Sequence, residues 1–126
     1  MGAGKKYDNV FVGYSFWLSD KEHGTIISPE MWQLLIRIDQ SGSISSAARE
    51  MQISYRKAWN MIRECEAALG FQLFIKSRGG KSGGLTILSE EGKTVISAYN
   101  NMIVSINDVF KKYIIDFKRT LKQKKS

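Results

Sequence analysis

The stretch that decides the fold is Gly42-Ser43-Ile44-Ser45-Ser46-Ala47-Ala48-Arg49-Glu50-Met51-Gln52-Ile53-Ser54-Tyr55-Arg56-Lys57-Ala58-Trp59-Asn60-Met61-Ile62-Arg63-Glu64-Cys65-Glu66-Ala67-Ala68-Leu69-Gly70. Two serines stand where helices begin, and their hydroxyls can take up otherwise unpaired backbone N–H groups. Ser43 predicts a short helix from Ile44 to Met51 with Ala47 and Ala48 at its centre. Gln52-Ile53 breaks it. Ser54 predicts a second, longer helix with Ala58, Met61, Ile62, Cys65 and Leu69 on one face, closed by Gly70.

Upstream, Ser28-Pro29 reads as another helix start, because proline is pre-organised for the first helical position. Met31, Leu34, Leu35 and Ile38 follow at helical spacing to about Gln40, and Gly42 ends that helix. Earlier still, the β-branched and aromatic run from Val10 to Leu18 reads as a strand, Asp20 to Gly24 as a turn, and Thr25 to Ile27 as a returning strand. Downstream, Gln72 to Lys76 and Leu85 to Leu88 read as two strands around a glycine-rich, cationic loop, Ser77 to Gly84. From Ser89 to about Lys122 apolar residues recur every three or four positions, and one helix of that span is roughly 50 Å long. Two shorter helices broken near Asn100-Asn101 or Asn107-Asp108 are the alternative.

Two helices joined by a tight turn and followed by a glycine-tipped hairpin make a winged helix-turn-helix. The expected fold is therefore mainly α with a small β component: a winged helix-turn-helix with an N-terminal β-hairpin and a long C-terminal dimerisation helix. In segments, 1–8 is a flexible N-terminus, 9–88 the winged domain, 89–122 the long helix and 123–126 a basic tail. With Ala58, Ile62, Cys65 and Leu69 facing inward, the second helix presents Tyr55, Arg56, Trp59, Asn60 and Arg63 outward, with Lys57 to one side. Arg pairs bidentately with guanine and Asn with adenine on major-groove edges. The amides from Ser54 to Arg56 form a positive helix end suited to a phosphate. With Ser43, and with Lys76, Arg78 and Lys81 around the hairpin, these are the candidate DNA-binding residues. Trp59 has an alternative place, packed against the body or the long helix.

Charge agrees. The 126 residues carry a net charge of +7. Residues 1–30 are net −1, 31–88 net +4, 89–110 net −2 and 111–126 net +6. A basic middle and a basic end suit a polyanion, whose counterions are released on binding. With 43% hydrophobic and 25% charged residues the chain has a globular composition. One cysteine and one histidine cannot build a Cys/His zinc site, and no cofactor or metal is expected. No stretch of 18 apolar residues exists, and the start lacks the apolar core of a secretion signal, so no membrane partner and a cytoplasmic setting are expected. Gly80-Lys81-Ser82 resembles the end of a phosphate-binding loop, but Ile75 stands where the loop needs glycine and a strand follows instead of a helix. No nucleophile, base and orienting group come together, so no enzyme is expected.

The motifs also resemble a known family. Gly42 to Arg49 is similar to the "GSxxxAA" helix of LysR-type regulators, and Leu88-Ser89-Glu90-Glu91-Gly92 to that family's "LTxxG" start of the linker helix. Closer is the N-terminal domain of the molybdate-responsive ModE regulators, with a similar "SYxxAW" motif in Ser54 to Trp59 and a similar "GGKxGGG" wing in Gly79 to Gly84. The N-terminal strand pair is also ModE-like. The resemblance covers about residues 10–105. It implies a bacterial-type, sequence-specific transcription regulator that binds double-stranded DNA as a homodimer. Tyr99, Met102, Ile103, Ile106, Val109, Phe110, Tyr113 and Phe117 are the expected dimer interface. ModE proteins carry oxyanion-binding domains after this helix, whereas this sequence stops at Ser126, so molybdate is not expected as a ligand. The alternative is a non-catalytic interaction module or heterodimerising antagonist on the same fold.

Overall fold

The computed structural model describes residues 6–76 and 85–123. Two strands, β1 (Leu18–Asp20) and β2 (Gly24–Ile27), pair antiparallel across a turn at residues 21–23. Then come α1 (Pro29–Ser41), α2 (Ile44–Glu50) and α3 (Tyr55–Leu69). A second antiparallel pair, β3 (Phe74–Lys76) and β4 (Thr86–Leu88), precedes a long α4 (Glu90–Gln123). This is the winged helix-turn-helix order, with the β-hairpin in front and the long helix behind.

The helices begin and end where local chemistry dictates. Ser28, Ser43 and Ser54 each accept a backbone N–H three residues on, at 2.9–3.1 Å. Ser89 does the same for Gly92 at 2.9 Å. Gly42 and Gly70 close α1 and α3 in left-handed conformation, which glycine adopts without steric cost. The turn between α2 and α3 has no glycine. Gln52 takes φ +60° there, and the N–H groups of Gln52 and Ile53 bond back to Arg49 and Ala48.

The described chain divides into two compact units. One is Ser15–Ser97; the other combines described residues of 1–14 with those of 98–126. The first has its core in Ile27, Leu34, Leu35, Ile38, Ile62 and Leu73, all 1% exposed or less. Ala47 and Ala58 let α2 and α3 approach closely, and both are fully buried. The start of α4 is locked into this unit. Ser89 N–H bonds the Leu73 carbonyl at 2.9 Å and its hydroxyl donates to the Gln72 carbonyl at 2.5 Å. Gly92 lies so near that an added Cβ would stand 2.2 Å from the Leu73 oxygen.

Several sequence expectations are corrected. The strand expected from Val10 to Leu18 is absent over residues 11–17, and β1 instead runs on to Asp20. A strand needs a ladder partner, and β2 supplies one only for Leu18 to Asp20, with an irregularity after Leu18. Tyr14 turns elsewhere: in the second unit its hydroxyl donates to Asn107 and its ring meets Phe110 edge-on at 4.6 Å between centroids. The strand expected from Gln72 begins only at Phe74, because the Leu73 N–H goes to the Glu66 carboxylate. Leu85 likewise precedes β4. The long C-terminal helix is continuous over Glu90–Gln123, without the alternative break. The expected glycine-rich wing loop, the first five residues and the end of the basic tail lie outside the described residues. No helix among the described residues is long and apolar enough to cross a membrane.

Candidate nucleic-acid interface

Helix α3 presents two unlike faces. Ala58, Ile62 and Cys65 are buried against the core, while Tyr55, Arg56, Trp59, Asn60 and Arg63 are exposed. These five positions recur at one, four, five and eight residues from the first, which places them on one side of the helix. Ser54 holds the first turn in shape through its bond to the Lys57 N–H. The side thus combines two guanidinium forks, a carboxamide and two aromatic rings, a set able to read base edges and stack on apolar groups. Lys57 leans away: its ammonium lies 3.6 Å from the Glu30 carboxylate of α1, in an exposed pair of little energetic weight.

The second pair of strands stands beside that face. Lys76 is exposed at the end of β3, and Arg78 and Lys81 lie outside the described residues. Ser43 is half-buried, its oxygen engaged by the Ser46 N–H. Trp59 is 41% exposed and at the same time lines a concavity of about 250 Å³ with Ile44, Ile62, Phe74, Ile75 and Thr86. The indole therefore packs between helix and wing while keeping an outward edge.

The family model for bacterial regulatory helix-turn-helix proteins of the lysR family matches residues 29–93, from the start of α1 into α4. The chain belongs to the lysR family. Among similar proteins, the molybdenum-pterin-binding protein MopB of Rhodobacter capsulatus is 37% identical over 76 residues, 60% of this chain and 28% of that protein. The molybdenum transport protein ModE of Azotobacter vinelandii is 32% identical over 80 residues, 64% of this chain and 30% of its own. The DNA-binding transcriptional dual regulator ModE of Escherichia coli (strain K12) is 38% identical over 72 residues, 57% and 28% respectively. The chain thus spans less than a third of the length of the curated relatives it matches.

Three contacts of this lysR-family domain escaped the sequence reading, and all of them fix the wing. The Glu66 carboxylate on α3 accepts the Leu73 N–H at 2.7 Å and the Phe74 N–H at 3.4 Å. The Gly42 carbonyl accepts the Thr86 N–H of β4 at 3.0 Å. The Ser89 bonds described above tie the other end. Only the glutamate three turns into a helix, ahead of a short strand, hinted at this, and nothing local distinguishes it from a solvated acid.

Cys65 is 3% exposed. Burial foremost, with the Glu66 charge beside it, pushes its thiol up to about 11, so it is a small core residue and an inert one at neutral pH. Among the described residues no group of three His, Cys, Asp or Glu forms a metal site.

In the second unit, Tyr99, Ile103, Ile106 and Phe110 are half-buried along α4. Met102, Val109, Tyr113 and Phe117 are 41–62% exposed. Val12 and Tyr14 join Phe110, Tyr113, Ile114 and Phe117 around an apolar groove of about 410 Å³.

Proposed function

We propose that this lysR-family chain is a sequence-specific, DNA-binding transcription regulator, non-catalytic and cytoplasmic. It acts as a homodimer, with α3 in the major groove and the wing on the sugar-phosphate backbone. Residues 9–88 bind DNA and residues 89–122 pair the two copies. The observation that carries the reading is the outward side of α3, where Tyr55, Arg56, Trp59, Asn60 and Arg63 are all exposed over a buried inner side. Among the described residues neither Arg56 nor Arg63 makes a salt bridge, so both guanidinium forks on the open side are available to a ligand. Ser43, Ser54, Lys57, Lys76, Arg78 and Lys81 supply backbone contacts that orient the helix without reading sequence. The half-covered apolar side of α4, from Tyr99 to Phe117, supports pairing with a second copy.

Selection of bound fragments from genomic DNA, followed by a salt titration on the best fragment, tests the reading. If about six phosphates are neutralised, affinity falls roughly 10³-fold between 50 and 200 mM salt. Absence of duplex binding at low salt, or a flat salt response, would sink it.

A further inference from the structure

Near its end α4 carries a cationic side. At about 100° per residue, Lys111, Lys118 and Lys122 fall within an arc of about 40° and span about 16 Å along the axis. Lys112 and Arg119 form a second line about a quarter-turn further round. Lys111, Lys112, Arg119 and Lys122 are exposed, and Lys118 is half-buried. Among the described residues only Arg119 of the five makes a salt bridge, to Asp116 at 3.2 Å. Ile115 is the one large apolar residue between the two lines, 52% exposed.

Three explanations compete. Cations favour a helix C-terminus through the helix dipole, but that effect is confined to the last turn, and Lys111 and Lys112 lie three turns before it. A helix resting on an anionic membrane needs a free apolar side flanked by its cations. Here the apolar line of Phe110, Ile114, Phe117 and Leu121 lies about a quarter-turn from Lys111, Lys118 and Lys122, on the side opposite Lys112 and Arg119, so cations border it on one edge alone, and Tyr14 packs on Phe110 from that side. Two lines of cations running along one side of a helix fit a linear polyanion, and duplex DNA presents one charge per about 1.7 Å.

We propose that Lys111, Lys112, Lys118, Arg119 and Lys122 form a second, sequence-independent phosphate-binding surface for duplex DNA. It rests on the DNA-binding reading above and adds a contact that the winged domain does not contain. The test compares the full chain with K111Q/K118Q/K122Q and with a control of equal charge loss elsewhere, K6Q/K21Q/K93Q. Each is titrated with salt on a selected fragment and on a scrambled one. The stripe variant lowers the slope of log affinity against log salt by about two to three units on both fragments. Its preference for the selected fragment stays within about twofold of wild type, and the control shifts the slope by less than about one unit. Equal slopes for stripe variant and control overturn the proposal while leaving the winged-domain reading intact. So does an unchanged DNA slope accompanied by stripe-dependent binding to phosphatidylserine vesicles. A wild-type chain that binds neither fragment overturns both readings.

Discussion

Gly92 shows how much can hang on one missing carbon. Its backbone approaches the Leu73 carbonyl so closely that a Cβ would stand 2.2 Å from the oxygen, and the obstacle is main chain, which cannot rotate aside. Gly92→Ala is therefore expected to cost about 1–3 kcal/mol, read as a lower urea midpoint with an unchanged slope. A midpoint equal to wild type would show that α4 can lift off without penalty. Cys65 makes a second test at this scale. Its thiol is held neutral by burial, up to about 11 from an ordinary value of 9.0. Such a group adds stability that is fully present below about pH 9 and fades as pH climbs towards 11. The stability difference between wild type and Cys65→Ala should shrink across that window and stay flat from pH 6 to 8. A constant difference up to pH 11 would count against the burial argument. Residues such as Ser54 and Gly70 were legible beforehand because a cap acts within one turn. Glu66 was not, since its partners, the Leu73 and Phe74 amides, reach it only after the chain has doubled back.

Among the elements, α3 carries the sharpest expectation. Arg56 is exposed on the side opposite Ala58 and Ile62, so Arg56→Ala should cost about 1–3 kcal/mol on a selected site and relax discrimination at one base pair. Anisotropy titrations on the site and its single-base variants measure this. Wild-type affinity and specificity in a folded Arg56→Ala protein would place the reading face elsewhere on the helix. The contrast between helices and strands explains what the sequence disclosed. Helix starts and stops are written in neighbouring residues, and α1, α2 and α3 end within a residue or so of their expected bounds. Strands depend on a partner far along the chain. Val10 to Trp17 has every β-forming side chain it needs and still forms no ladder, since β2 offers only Gly24 to Ile27.

Across the whole molecule, the long apolar line of α4 was readable from its spacing, whereas the packing of Tyr14 on Phe110 was not, because no local rule links positions 96 residues apart. If the helix pairs two copies, light scattering at micromolar concentration gives twice the chain mass, and Ile106→Asp halves it. A dimer that survives this charge moves the interface off α4. The molecule's tolerance of such insults has one adjustable point. Gln52 holds φ +60°, a conformation that costs a side-chain-bearing residue about 1 kcal/mol or more and glycine very little. Part of that gain is returned through the freer unfolded chain, so Gln52→Gly should raise the melting temperature by a few degrees at most. A drop would mean that the Gln52 side chain holds the turn by contacts of its own. Given the gain, Gln52→Gly offers the molecule mutational headroom: a background in which damaging variants of the core or of α4 still fold well enough to be assayed for what they do.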